Sequence, residues 1–223
     1  MLIIGIDCAS QPENTGVAIG KYVKDKIEII KVFKGQKNKL IADSLLEELE
    51  NLSLQLDKAI LAIDAPLGWP RAMGQSLASH TAGDSLKHNS QEKDRFFRRL
   101  TDIHLHKNIQ KLPLEVGADR IARAAYAALQ ILDDLKKEIQ MLWKPKSDDF
   151  SGLGVIEVYP AATLKQYNSI NSAYKEKKDQ EPRIKILQKL GEFYTNLTDY
   201  QGLLEDADLV ECQRFFRWRC NAF

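Results

Sequence analysis

The stretch LIIGIDCAS, residues 2–10, decides how this chain is read. Five residues of core character run straight into Asp7. A short apolar run of this kind reads as a buried strand. An ionised carboxylate left alone in a protein interior is costly, so Asp7 must have a reason to be there. It either caps a turn at the strand's end or stands beside something positive.

A second stretch, AILAIDAP at residues 59–66, repeats the pattern and ends its apolar run on Asp64. If the two strands are parallel neighbours, both carboxylates sit at carboxyl ends, roughly 5 Å apart in backbone terms. The chain leaves the first strand toward one side of the sheet and returns to this one on the other. Such a switch point is where open α/β sheets bind ligands. Two carboxylates this close repel, and one is driven to take up a proton. A divalent cation reverses that, because its charge stabilises both ionised forms. Mg²⁺ or Mn²⁺ would take oxygen ligands from the two acids and from a substrate phosphate. Ions about 4 Å apart activate a water and stabilise the leaving oxygen in phosphodiester cleavage. The competing reading makes each Asp a local turn cap.

Around these two strands the chain is organised simply. TGVAIGKYV (15–23) and KIEIIKVFKG (26–35) are β-rich and joined by a charged turn, which predicts an antiparallel hairpin continuing from the first strand. Apolar residues recur at helical spacing over 38–56. Residues 69–111 are rich in Ser, His, Arg and Lys, with little periodicity before Phe96, and read as an insertion with short helices. VGADRIARAAYAALQILDDLKKEI (116–139) predicts a long helix, GVIEVYPAATL (154–164) a fifth strand and a helix start, and EPRIKILQKLGEFY (181–194) an amphipathic helix. LLEDADLVECQRFFRW (203–218) predicts the last helix. The whole predicts one α/β domain over residues 1–223. Its mixed five-stranded sheet has order 3-2-1-4-5, flanked by helices, with strand two antiparallel to its neighbours and a helical insertion after strand four.

Composition removes several classes. No apolar run approaches the ~20 residues needed to cross a bilayer. The first residues carry neither a basic region nor a cleavage signature, so no signal peptide is expected. Three scattered cysteines, Cys8, Cys212 and Cys220, form no zinc pattern and suit a reducing cytosol, which predicts a cytoplasmic protein. The net charge of +1 does not mark the whole chain for a polyanion, so any nucleic-acid surface must be local.

Further along, the ordered set GIDCAS with TGVAI, AIDAPLGWP, RLTD at 99–102, VGADRIARAA and EVYPAATL resembles the domain-of-unknown-function family numbered four hundred and twenty-nine. Its members are predicted RNase H-like nucleases. The resemblance spans most of the chain. It implies an RNase H-like fold and metal-dependent phosphodiester hydrolysis, with Mg²⁺ or Mn²⁺ as cofactor and nucleic acid as partner. It places Asp7 and Asp64 on the acids of strands one and four, and the remaining acid on the final helix. Asp208 is the first choice there, with Glu205, Asp206 and Glu211 as alternatives. Together Asp7, Asp64 and Asp208 are the expected catalytic and metal-ligating set.

Four more residues are candidates for the substrate side. Arg99 offers a planar fork of donors for a phosphate, or ties the insertion to the core by pairing with Asp102. Asp119 complements a helix N-terminus, or joins the site as the resemblance implies. Glu157 lies near the same sheet end, either as a further ligand or as a hydrogen-bonded structural acid. His80, His88, His104 and His106 have no ligand spacing and read as surface or satisfied residues. KDRFFRR (93–99) and RFFRWR (214–219) mix basic and aromatic residues, as nucleic-acid surfaces do, and equally fit amphipathic helix faces.

Two other functions remain open. The run QRFFRWRCNAF follows the last acids where such helices continue with Ala and small apolar residues, which keeps a non-catalytic nucleic-acid-binding module in view. An actin-like-fold kinase shares the opening strand topology, but it needs a second nucleotide-binding half that this chain is too short to supply.

Overall fold

The computed structural model describes residues 1–85, 93–142, 150–166 and 181–195. The predicted helix over 203–218 lies outside them, with Glu205, Asp206, Asp208 and Glu211.

The centre is a six-stranded mixed sheet. β1 (Leu2–Asp7) pairs antiparallel with β2 (Gly16–Val23), which pairs antiparallel with β3 (Lys26–Lys34). On its other side β1 runs parallel to β4 (Lys58–Ile63), and β4 runs parallel to β6 (Gly152–Glu157). The hairpin turn works because Lys24 and Asp25 both adopt the left-handed region, at φ 48° and 63°. That pair of dihedrals matches the right-handed twist of the flanking strands.

The expected five-stranded order needs one correction. A short strand, β5 (Ile139–Met141), lies parallel to β6 at the sheet edge, so the order is 3-2-1-4-6-5 and the predicted fifth strand is β6. The helix predicted over 116–139 ends earlier, as α5 (Asp119–Asp134). Lys136 turns left-handed at φ 49°, and the chain folds back to pair Ile139 with Leu153. Leu135 and Ile139 continue the helical spacing, which is why the reversal is hidden in the sequence.

Both faces of the sheet are covered. Leu2, Ile4 and Ile6 of β1 pack with Leu61 and Ile63 of β4 against α1 (Ile41–Asn51) and α5. On the opposite face Ile3, Ala18, Ile27 and Ile29 pack against α6 (Pro160–Gln166) and α7 (Glu181–Leu190). β1 is therefore apolar at nearly every position, as a central strand buried on both sides must be. Within the insertion, the described residues form α2 (Arg71–Leu77), α3 (Lys93–Phe97) and α4 (Leu100–Ile109). Among the described residues no helix is long and apolar enough to cross a membrane.

Candidate active site

The β1–β4 register pairs Ile6 with Ile63. One residue further, Asp64 donates its N–H to the Ile6 carbonyl at 2.9 Å, which brings Asp7 and Asp64 side by side at the carboxyl ends of neighbouring parallel strands. Both are partly exposed, and both line a cavity of about 370 Å³. Arg99, Asp102, Glu157 and Tyr159 line it too, so the insertion and the end of β6 form its walls.

The loop leaving Asp7 is held by Thr15. Its hydroxyl Oγ1 accepts the Ala9 N–H at 3.1 Å, and the residue is buried. Gly35 closes the same region. A Cβ there would collide with the Pro12 carbonyl and with Ile41. Cys8, the residue after Asp7, is buried and within reach of the Ala124 carbonyl at 3.6 Å. Burial first, then the charges of Asp7 and Asp64, push its thiol up to about 12. It stays protonated at neutral pH and is no nucleophile there.

Arg99 is heavily bonded. Its Nε donates to Asp102 Oδ2 at 3.1 Å, and its Nη2 to Asp102 Oδ1 at 2.7 Å. Nη2 also donates to Glu157 Oε1 at 2.7 Å, and Nη1 to Glu157 Oε2 at 2.6 Å. Four of the five guanidinium hydrogens are thereby engaged. Burial favours loss of the proton from this group, but the hydrogen bonds to Asp102 and Glu157 and their charges outweigh it, so the guanidinium is held still more firmly as a cation. Asp102, in the first turn of α4, is fully buried and also accepts the Arg99 backbone N–H at 2.9 Å. Of the two roles open to Arg99, the geometry displays the tie between insertion and core.

Glu157 is hydrogen-bonded in the same way. Besides Arg99, its Oε2 accepts the Leu67 N–H at 2.9 Å. Asp119 is not among the residues lining the cavity; it is exposed on the first turn of α5 and pairs with Arg123 at 3.4 Å. Of the 93–99 stretch, Phe96 is buried and Arg98 pairs with Glu115 at 3.0 Å, while Arg95 and Phe97 are exposed. Sequence reasoning passed over Thr15 and the Glu157–Leu67 bond, whose partners are joined only by the fold.

The donor set suits a hard divalent ion, which accepts one or two carboxylates and completes its shell with water and substrate oxygens. Among the described residues no three His, Cys, Asp or Glu gather closely enough to hold a metal by themselves. Asp7 and Asp64 would supply two ligands, and the acids expected to complete the set lie outside the described residues.

These features define a mixed α/β protein with a carboxylate pair at its sheet's switch point. The chain matches, over residues 5–214, the family described as Protein of unknown function (DUF429), and it belongs to that family. No curated protein matches it.

Proposed function

We propose that this protein is a metal-dependent phosphodiesterase of the RNase H-like type, a nuclease acting on nucleic acid in the cytoplasm. The observation that carries the reading is the pairing of Asp7 with Asp64 at the ends of β1 and β4, in a cavity that both line. Asp7 and Asp64 would hold Mg²⁺ or Mn²⁺, with Asp208 completing the set. When bound, the ion neutralises charge on the phosphoryl oxygens and acidifies a water. The chain's part is to hold the two carboxylates close together. The sheet does this without relying on loop geometry, because ladder hydrogen bonds reach Asp64 itself.

The experiment is a calorimetric titration with Mn²⁺, followed by cleavage assays on single-stranded, duplex and hybrid substrates. Micromolar to millimolar Mn²⁺ binding together with cleavage supports the reading. A wild-type protein that binds no Mn²⁺ and cuts none of the three ends it. Mn²⁺ binding without cleavage favours the non-catalytic module.

A further inference from the structure

We propose that Arg99 is a positioning residue, which holds the turn after Asp64 through Glu157 and does not contact a phosphate. The assignment of chemical purpose rests on the reading of Asp7 and Asp64 given above; the positioning itself rests on geometry alone.

Residues 64–67 form a short turn tied at both ends. At its start the Asp64 N–H is bonded to Ile6 of β1. At its end the Leu67 N–H is bonded to Glu157 Oε2, at the carboxyl end of β6. The second tie is only as firm as the Glu157 carboxylate, whose side chain is 25% exposed. Arg99 fixes it with two charge-assisted bonds in a fork, at 2.6 and 2.7 Å. A bidentate fork sets the plane of a carboxylate, which a single point contact does not.

The guanidinium is itself fixed from behind. Asp102 takes the other edge of the fork and also the Arg99 backbone N–H, so the start of α4 and the direction of the side chain are set together. The result is a continuous path from Asp102 through Arg99 and Glu157 to Leu67, three residues from Asp64. A phosphate approaching Arg99 would find one Nη1 hydrogen left and two carboxylates already in contact. Two acids against one guanidinium leave the cluster with a formal charge of about −1, which repels a phosphodiester. Lysine cannot replace this residue, because an ammonium is a point charge without the planar fork.

The test compares wild type with Arg99→Lys and Glu157→Gln, following residue-resolved amide exchange by NMR and Mn²⁺ binding by calorimetry. Exchange at Leu67 is expected to quicken at least ~10-fold in both variants, while Leu61 and Ile156 in the strands keep their protection. Mn²⁺ affinity is expected to fall by ~10-fold in both, the usual effect of loosening groups that orient metal ligands. Unchanged Leu67 exchange in both variants overturns the proposal. So does a loss of protection spread equally over Leu61 and Ile156, which marks general destabilisation. A raised KM in Arg99→Lys with unaltered Leu67 exchange makes Arg99 a phosphate ligand and also overturns it. If Arg99→Lys does not fold, Glu157→Gln alone decides. If wild type binds no Mn²⁺, the acid-pair reading falls and the Leu67 exchange still decides the positioning role.

Discussion

Asp64 donates its backbone N–H to the carbonyl of Ile6 at 2.9 Å, and that bond carries the β1–β4 ladder one residue beyond the end of β4. The acid next to Asp7 is thus placed by main-chain pairing, the most rigid element available. Cys8, the residue after Asp7, shares the resulting field and reports on it.

The Cys8 thiol gives the first prediction. Burial, then Asp7, then Asp64 raise it from the ordinary 9.0 to about 12. The folded state holds this proton longer than the unfolded state does. Its contribution to stability is full below pH 9.0 and is lost as pH rises through about 12. Urea unfolding across this range is expected to show a shallower alkaline loss for Cys8→Ala than for wild type. In a Cys212→Ser/Cys220→Ser background, Asp7→Asn is expected to lower the pH at which Cys8 alkylates. The value stays above the ordinary one, because burial is the larger cause.

Thr15 gives the second. Thr15→Val keeps the side-chain shape but strands the Ala9 N–H, which now donates to Oγ1 at 3.1 Å. The expected loss is ~1–2 kcal/mol, read as a lower urea midpoint with unchanged slope. Thr15→Ser keeps the acceptor and is expected to recover most of it. Equal loss in both variants would assign the effect to packing.

Much of this architecture was legible in the sequence, for a reason visible at Asp7 and Asp64. An apolar run ending abruptly on a carboxylate is a local pattern, and two of them in one chain point to each other. The hairpin was legible too, although its turn residues, Lys24 and Asp25, are not the usual Asn-Gly type. β5 was not, because three residues are too few to show alternation and they follow a helix whose spacing they continue. Arg99 and Asp102 are three residues apart and suggested a pair. Glu157 stands 58 positions further on, and nothing local in a single sequence joins it to Arg99. The third acid belongs to residues outside those described, so its place rests on the resemblance alone.

Asp102 gives the third prediction. Its carboxylate is buried and bonded to both the side chain and the backbone of Arg99. Asp102→Ala leaves a largely buried guanidinium with Glu157 as its remaining partner in this cluster. The expected loss is about 3 kcal/mol, nearly independent of salt, since a buried pair is poorly screened. Asp119→Ala serves as the control. Its pair with Arg123 is exposed on both sides, and removing it is expected to change stability by less than ~0.5 kcal/mol. Urea unfolding at low and high salt measures both. A loss for Asp102→Ala no larger than for Asp119→Ala would remove the cluster from the forces holding the insertion in place.

The last prediction concerns the carboxylate pair itself. Asp7→Asn preserves the shape of the side chain and removes one ligand charge. If Asp7 and Asp64 hold a divalent ion, cleavage should fall by at least ~10²-fold, since positioned charge commonly supplies ~3–4 kcal/mol of transition-state stabilisation. Mn²⁺ affinity should fall with it. Stability without metal should stay level or rise, because the substitution relieves repulsion between neighbouring carboxylates. The combination is diagnostic: a residue kept only to cap a turn would cost stability when changed and would leave Mn²⁺ binding alone. Calorimetry with Mn²⁺, urea unfolding in the presence of a chelator and a cleavage assay, run on wild type, Asp7→Asn and Asp64→Asn, separate the two. Mn²⁺ binding that survives both substitutions unchanged would place the metal elsewhere in the protein and leave the pair at the end of β1 and β4 a structural feature.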